Sequence, residues 1–358
     1  MRIAMLGTFT HASVERLLAR AFRSLGHECI EYDAWRPPKR WLQLRYWNLA
    51  LSLPAVRHEV RPVYLRYLNE VTSDFLRSVR PDIVVTHNDA KLLPSTIRMV
   101  REQLRAPIAS IVADDPTTAV YLPEYLPLIP HFSHLLVPET FLVEKLRPLT
   151  SGRVEFLPFG TDPDMFRPAP ELVETDRQFV SDIGFVSNSY RAAPYGMYRA
   201  LFMTHLVNDG LKIYGDRGWK YICKYLPELR PAIAAQGYLG SRDMNLFYNS
   251  IKINVNIPNP QIVTGIAQRI LDAAAAGCFQ VTPLREDIAR SFPDECVATF
   301  STMGEMVEKV RYYLREPGER AVRAARARDI VLRQFTWKTY AEKVLAILGE
   351  DAPGAGRS

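Results

Sequence analysis

The residues best suited to hold a phosphorylated ligand lie in the run TGIAQRILDAAAAGCFQVTP at 264–283. Arg269 and Asp272 stand about one turn apart on a helix here, so both lie on one face. An arginine can hold a diphosphate, and an aspartate near a helix start can accept two hydrogen bonds from a ribose diol. The plainer alternative is a surface ion pair between the two, worth roughly a few tenths of a kcal/mol.

A second candidate anion site follows the strand predicted at 181–186, where the sequence reads DIGFVSNSYRAAPYGMYR. Gly184 lies in this strand, Ser187 and Asn188 follow it, and Arg191 precedes the next helix. Backbone N–H groups, hydroxyls and a guanidinium in such a loop can surround a diphosphate. The pattern gains its weight in combination with Arg269 and Asp272.

Polar residues also follow the strands of the first half. Gly7, Thr8 and His11 follow the first strand, and His87 ends a later one in VVTHNDA. Gly7 permits a tight strand-to-helix turn. His11 could orient an acceptor hydroxyl or act as a base, and it is equally well explained as an ordinary histidine at a helix start.

Two adjacent carboxylates, Asp114 and Asp115, close the strand IVADDP at 111–116. Adjacent carboxylates can divide into one structural and one chemical role, and Asp115 is the candidate catalytic residue of the pair. Neighbouring residues at a strand end point in opposite directions, so at most one faces a ligand. The alternative is a turn aspartate that serves local hydrogen bonding before Pro116.

The composition is that of a globular protein with room for two domains. The chain has 358 residues, of which 47% are hydrophobic and 23% charged, which excludes disordered and fibrous classes. No apolar run reaches the roughly 18 residues of a membrane span, and the N-terminus does not resemble a signal peptide. The four cysteines show no zinc-binding spacing and are expected to be reduced, buried thiols of a cytoplasmic protein.

Basic and aromatic residues are concentrated at 35–67. This segment holds seven basic residues, among them Arg40, against the single acid Glu59, together with five tyrosines and tryptophans that follow Trp35. Such a mixture could bind an anionic ligand or the inner face of a membrane, as a peripheral contact. The alternative is an amphipathic helical pair with solvated arginines. Nothing else in the chain resembles a nucleic-acid module, so no nucleic-acid partner is expected.

Short apolar strands alternate with amphipathic helices along nearly the whole chain, which predicts parallel sheets covered on both faces. The proline-rich run at 158–176 interrupts the alternation and predicts a linker. We therefore expect an α/β protein with two Rossmann-like, doubly wound domains at 1–165 and 166–335 facing a central cleft. A helix at 336–350 is expected to cross back to the first domain, before a disordered tail at 351–358.

Three classes of protein use two such domains: nucleotide-sugar transferases, two-lobed solute-binding proteins, and epimerases or phosphorylases. The loops at the carboxyl ends of the strands have to distinguish them.

The second half resembles the GT-B glycosyltransferases, in particular the CgeB-like group related to glycosyltransferase family 4. The motifs that carry the resemblance are LPFGTDPDMFRP at 157–168, DIGFVSN, LKIYGDRGW at 211–219, FYNSIKINVNI at 247–257 and the R-x-L-D-A-x-A-x-G run at 269–277. The closing helices also fit. The resemblance extends over about 135–348, and the first domain matches in pattern only.

The resemblance implies a GT-B fold and a glycosyltransferase, with a hexosyltransferase expected. A nucleotide diphosphate-sugar, most simply a UDP-sugar, would be held by the second domain without a metal or other cofactor and with retention of configuration. Asp272 falls on the family's acidic ribose ligand, Arg269 falls beside the diphosphate, and Arg191 stands in for a missing lysine. Tyr214 and Gly215 fall at the positions where the family's residues border the base of the nucleotide.

The catalytic candidates are therefore His11, Asp115 and Arg269. The acceptor is undetermined, and Gly7, Thr8, His87 and Arg40 are the residues expected to bind it. Two alternatives remain, a non-catalytic sugar or nucleotide-binding protein and a nucleotide-sugar epimerase of the same fold.

Overall fold

A computed structural model describes residues 1–10, 13–33, 54–87, 91–118, 124–189, 194–293 and 296–351. The chain divides into two compact units. The first comprises Met1–Pro158 together with Trp337–Ser358, and the second comprises Phe159–Thr336. The division between the units thus lies at 158/159, seven residues before the boundary expected at 165/166.

The first unit is a six-stranded parallel sheet with helices on its faces. The strand order is β2-β1-β3-β4-β5-β6. β2 therefore lies on one side of β1, and the strands from β3 onward are added on the other side. The switch point of this sheet therefore lies between β1 and β3. The strands are β1 (Arg2–Leu6), β2 (Glu28–Tyr32), β3 (Ile83–His87), β4 (Ile108–Ile111), β5 (His134–Val137) and β6 (Arg153–Phe156).

The helices of the first unit are amphipathic and place their apolar faces on the sheet. The C-terminal helix α13 packs against α1 within this unit. Ser13 caps α1, because its hydroxyl oxygen accepts a hydrogen bond from the Arg16 N–H at 3.3 Å. The helices are α1 (Val14–Ser24), α2 (Pro54–Val79), α3 (Pro94–Glu102), α4 (Thr140–Leu146) and α13 (Trp337–Gly349).

The second unit has a second six-stranded parallel sheet, with the order β12-β11-β10-β7-β8-β9. Counted from its first strand this is the 3-2-1-4-5-6 order of dinucleotide-binding folds, and the switch point lies between β7 and β10. The strands are β7 (Ser181–Val186), β8 (Leu211–Gly215), β9 (Ile233–Gln236), β10 (Ile251–Val255), β11 (Gln280–Pro283) and β12 (Ala298–Phe300).

Apolar clusters cover both faces of the second sheet. In one of them Ala273, Ala274 and Ala275 are fully buried, which lets helix α9 approach the strands closely. The helices of this unit are α5 (Pro170–Thr175), α6 (Tyr195–Thr204), α7 (Trp219–Ile222), α8 (Ser241–Ser250), α9 (Gln268–Ala275), α10 (Glu286–Ser291), α11 (Met303–Arg315) and α12 (Pro317–Gln334).

Two expectations about local structure need correction. The run at 158–176 is not a bare linker, because Phe166 and Ala169 are buried in the second unit and α5 forms within the run. Strand β9 was not expected at all. Its four residues include two alanines, which carry little of the β-branched or aromatic character that indicates a strand.

The part of the basic segment that the structure describes is the N-terminal half of α2. Tyr64 is buried there, and Arg61 pairs with Glu124, so both residues have structural roles. Residues 34–53 lie outside the described part of the chain. All four cysteines are buried free thiols. In the described ranges, every helix is too short or too polar to cross a membrane.

Candidate functional site

The switch point of the second sheet is bounded by the loops that follow β7 and β10. Arg199, on α6, joins them. Its Nε donates to the Ile257 carbonyl oxygen at 3.0 Å, and its Nη1 donates to the Ser187 Oγ at 2.6 Å and to the Asn188 carbonyl oxygen at 3.3 Å. The side chain is almost fully buried. Arg199 therefore fixes both strand ends and places a guanidinium between them.

A second guanidinium reaches the same strand end from helix α9. Arg269 is in the first turn of α9, and its Nη1 donates to the Val186 carbonyl oxygen at 2.9 Å. It makes no ion pair with any carboxylate in the described ranges. The surface pair with Asp272 considered from the sequence is therefore absent. Ala267, which precedes α9, has no side chain that could cap the helix. A helix start and a guanidinium thus lie together at this edge of the sheet, and both kinds of group can bind anions.

Asp272 faces the segment that follows the division between the units. Its Oδ1 accepts hydrogen bonds from Thr161 Oγ1 at 2.7 Å and from Gln268 Nε2 at 3.2 Å. Burial raises the pKa of Asp272 to about 7, against the opposing effects of these two hydrogen bonds and of Arg269. Within the described residues no donor reaches its Oδ2. The Oδ1 of this buried carboxyl is thus held by the protein, and its Oδ2 has no hydrogen-bond partner among the described residues.

Three residues expected to touch a nucleotide have other surroundings. The Ser187 hydroxyl accepts from Arg199 and donates to the Asn188 carbonyl oxygen at 3.1 Å, so it fixes the arginine. Tyr214 is buried with its ring against Phe179, so it belongs to the core. Gly184 lies inside the sheet, where a Cβ would come within 2.7 Å of the Phe247 ring. These contacts give all three residues a role inside the protein, and their roles at a nucleotide stay predictions.

The loop after β7 is also clamped from β8. Both carboxylate oxygens of Asp216 hold Ser189: Oδ1 accepts from its hydroxyl at 2.6 Å, and Oδ2 accepts from its N–H at 3.1 Å. Gly215 is required beside this clamp, because a Cβ there would lie 2.0 Å from the Ser187 carbonyl oxygen. Gly215 thus lets two loops approach each other, while Asn188 stays exposed at the edge.

The switch point of the first sheet brings together three of the residues expected to bind an acceptor and adds a fourth. Gly7 and Thr8 follow β1, His87 ends β3, and Glu15 reaches them from the first turn of α1. His87 Nδ1 lies 3.1 Å from Glu15 Oε1. A Cβ at Gly7 would lie 2.6 Å from the Glu15 Cγ, so the glycine makes room for this carboxylate.

The surroundings of Glu15 keep it ionised although it is buried. Burial alone would raise its pKa, but the hydrogen bond and charge of His87 outweigh that effect and lower the pKa below its ordinary value. An ionised carboxylate has no proton to donate, so Nδ1 of His87 carries the shared hydrogen. In the neutral form of His87 the Nε2 is then the acceptor atom, and this nitrogen is buried without a partner among the described residues.

Asp115 has a structural environment that argues against the catalytic role expected for it. Its Oδ2 accepts from Lys145 Nζ at 2.5 Å, and its Oδ1 accepts from the N–H and hydroxyl of Thr117 at 2.9 and 2.8 Å. Burial would raise its pKa, but the Lys145 and Thr117 contacts together lower it. A carboxylate that is ionised and fully bonded is a poor general base. Asp115 thus forms an ion pair with Lys145, and a catalytic role for it stays a prediction that this environment disfavours.

His11, Arg40 and Arg191 lie outside the described residues, and their roles remain predictions. Arg199 and Glu15 were not identified from the sequence as site residues. Arg199 is the single charged residue of α6, YGMYRALFMT, and that isolation was the available signal. Glu15 offered no comparable signal, since acidic residues are common in the first turn of helices.

Comparison with known proteins adds to this geometry. Residues 198–346 match the family described as glycosyl transferase-like. The whole chain is similar in structure to sucrose-phosphate synthase from Thermosynechococcus elongatus, with a TM-score of 0.71, 12% identity and 98% of each chain covered. The two-domain, two-sheet architecture is common to both. The protein has the GT-B fold.

Other GT-B structures are similar to a comparable extent. A glycosyltransferase from Rickettsia africae has a TM-score of 0.68 and 14% identity, with 100% of this chain and 99% of that one covered. Anabaena HepE in complex with UDP-glucose has a TM-score of 0.65 and 13% identity, with 98% and 100% covered. No curated protein matches the chain in sequence. The GT-B fold is thus established, and residues 198–346 match a glycosyl transferase-like family.

Proposed function

We propose that this protein is a glycosyltransferase whose second unit binds a nucleotide diphosphate-sugar, most simply a UDP-sugar. The observation that carries the proposal is the pair of guanidinium groups at the end of β7. Arg269 and Arg199 there hydrogen-bond to backbone carbonyl oxygens and, for Arg199, a hydroxyl. The carbonyl oxygen that holds Arg269 carries no formal charge, so this guanidinium keeps its positive charge and the edge suits an anion with several oxygens. The similarity to HepE in complex with UDP-glucose supports the same ligand class.

The proposed chemistry follows from that charge. Negative charge develops on the leaving nucleoside diphosphate as the glycosidic bond breaks, and fixed guanidinium groups stabilise it there. Asp272 would accept hydrogen bonds from the ribose through its open Oδ2. The positive groups that a leaving diphosphate needs are already present as arginines, and we propose a reaction without a metal or other cofactor. Retention of configuration, expected from the family resemblance, is part of the proposal, as is the hexosyltransferase class.

The acceptor is assigned to the first unit. His87 Nε2, held by Glu15, would accept a hydrogen bond from the acceptor hydroxyl, and Gly7 and Thr8 border the same strand end. Arg40 and the basic segment at 35–67 would add contacts to an anionic acceptor or to the inner face of a membrane. The protein would then work in the cytoplasm.

A nucleotide screen with two arginine variants tests the proposal. Unfolding would be followed by thermal shift with UDP-, GDP-, ADP- and TDP-sugars, and donor hydrolysis by release of the nucleoside diphosphate. A donor present at about 100 times its Kd should add about 2.7 kcal/mol to the free energy of unfolding. Arg269→Ala should lose this effect, and Arg315→Ala, which removes an exposed arginine on α11, should retain it.

The expected result is a shift with one donor family, unchanged by a chelator and abolished in the Arg269 variant. If no nucleotide sugar stabilises the wild-type protein, or if both variants respond alike, the assignment of the second unit is wrong. Binding without release of nucleoside diphosphate in the presence of candidate acceptors would favour the non-catalytic alternative.

A further inference from the structure

An exposed cationic and aromatic surface lies on the second unit, immediately after β8. Tyr221 and Tyr225 are 39% and 61% exposed, and their ring centroids lie 5.4 Å apart. Four exposed cations stand in the same short stretch with one exposed acid, Glu228. We call these six residues the cationic tyrosine patch: Arg217, Lys220, Tyr221, Lys224, Tyr225 and Arg230.

The fold forces these side chains outward. Residues 218–226 form successive helical turns, in which Trp219, Ile222 and Cys223 are buried. Trp219 also anchors the segment, because its Nε1 donates to the Ser187 carbonyl oxygen at 2.7 Å. Residues spaced by four lie on one face of a helix, so the two lysines form one outward row and the two tyrosines form the next.

The four cations of the patch are not neutralised by the protein. Among the described residues none of them makes an ion pair, whereas many other exposed cations of this unit do, for example Lys252 with Asp182 at 2.6 Å and Arg311 with Asp209 at 3.0 Å. Unpaired cations around two half-exposed rings form a surface with net positive charge and an amphipathic centre. Its complement is an anionic surface that also accepts aromatic rings.

We propose that the cationic tyrosine patch is a contact with an anionic lipid bilayer. Tyrosine rings are favoured at the headgroup level of membranes, and each lysine or arginine near an anionic bilayer adds to binding. A single-stranded nucleic acid needs free ring faces for its bases. Here the rings meet edge to face at 68°, their hydroxyls lie 3.0 Å apart, and Lys224 Nζ lies 5.7 Å from the Tyr221 ring centroid. The geometry therefore favours the bilayer.

This inference is independent of the proposed transfer reaction. It concerns residues of the donor-binding unit and not the basic segment at 35–67. The contact would be peripheral and weak by itself, since it inserts no long apolar segment. It would bring the second unit to the membrane surface.

Vesicle sedimentation with charge-matched variants tests the contact. The full-length protein would be mixed with vesicles of phosphatidylcholine, with or without roughly 30% phosphatidylglycerol, at about 50 and about 500 mM salt. Lys220→Ser with Lys224→Ser removes two charges from the patch. Arg315→Ser with Arg326→Ser removes two exposed charges elsewhere in the same unit and is the control. All four side chains are exposed, and the thermal midpoint of each variant verifies its fold.

The wild-type protein should sediment with anionic vesicles at low salt and much less at high salt. The lysine variant should bind roughly 30-fold more weakly, and the arginine control should bind within about twofold of wild type. Tyr221→Ser with Tyr225→Ser should weaken binding without changing its salt dependence. The inference is overturned if the wild-type protein does not sediment with anionic vesicles. It is also overturned if the lysine variant binds as tightly as wild type, or if both charge variants lose affinity equally. Binding to poly(U) RNA without binding to vesicles would also overturn it.

Discussion

Replacement of Asp272 by asparagine should change how the stability of the protein depends on pH. The substitution keeps the local hydrogen bonds, because Oδ1 accepts both the Thr161 and the Gln268 bonds and an amide oxygen can do the same. It removes the ability to ionise. Asp272 is buried, and its pKa is about 7 in the folded protein against an ordinary 3.8. The two proteins therefore differ in one titrating group. If the difference between their free energies of unfolding changes with pH, that change measures the cost of ionising Asp272.

The sign follows from where the proton is held. Between about pH 4 and pH 7 the folded protein retains a proton on Asp272 that the unfolded chain has released, so the free energy of unfolding of the wild type falls as pH rises. Above about pH 7 both states are ionised and the loss is complete. At about 1.36 kcal/mol for each pH unit, a pKa near 7 corresponds to a loss of about 4 kcal/mol. We expect about 2–4 kcal/mol, since water entry and relaxation reduce the cost of a buried charge.

Urea unfolding of both proteins from about pH 4.5 to pH 8 measures this effect. Asp272→Asn should become progressively more stable than wild type as pH rises, with most of the change complete by about pH 8. Asp115→Asn is the control: the pKa of Asp115 is lowered, so this group is ionised in the folded and the unfolded state throughout the assay, and the difference between Asp115→Asn and wild type should stay nearly constant. If the difference between Asp272→Asn and wild type does not vary with pH, the carboxyl is not a buried, protonated group and the reasoning fails.

Three further predictions concern the other site residues. Arg269→Ala should slow donor hydrolysis by roughly 30- to 1,000-fold, the equivalent of about 2–4 kcal/mol. Arg269→Lys should be intermediate, and the thermal midpoints of both variants should stay near that of wild type. Wild-type turnover in Arg269→Ala would show that the arginine is only structural. Asp115→Ala should lower the free energy of unfolding by about 1–3 kcal/mol because Lys145 loses its partner, with donor hydrolysis per folded molecule unchanged; impaired turnover at full stability would restore its catalytic role. Nitrogen NMR of the neutral His87 imidazole should show its proton on Nδ1 in the wild type. Glu15→Gln should keep this tautomer, and Glu15→Ala should lose it. A proton on Nε2 in the wild type would contradict the proposed acceptor contact.

Much of the fold was predictable because the strands follow a local rule. Apolar runs bounded by turn residues predict strands directly, as at 181–186, where the structure has β7 (Ser181–Val186). The exception, β9, pairs with β8 around an irregularity between Ile213 and Gly215. Such a short strand is stabilised by its neighbour more than by its own residues. Its position could not be predicted without knowledge of the sheet.

The site was predictable in position and less so in side-chain roles. Parallel strands bring their carboxyl ends to one edge, so Arg269 and His87 could be placed at an edge from their positions along the chain. Whether Tyr214 faced a ligand or the core depended on the pleat of β8, which the loop motif did not reveal. The partners of Ser187 and Asp115 are the side chains of Arg199 and Lys145, 12 and 30 residues away. Local spacing does not identify such contacts.

The chemistry of the two switch points differs, and the difference supports the division of roles. In the first unit the ionised carboxylate of Glu15 holds Nδ1 of His87, so a buried negative charge lies at this switch point. That environment repels a diphosphate and suits a neutral hydroxyl that donates a hydrogen bond. In the second unit Arg199 and Arg269 place positive charge at the end of β7. That environment suits the diphosphate. An exchange of roles, with the nucleotide on the first sheet, would bring a phosphate against the Glu15 carboxylate and away from the guanidinium groups at the end of β7.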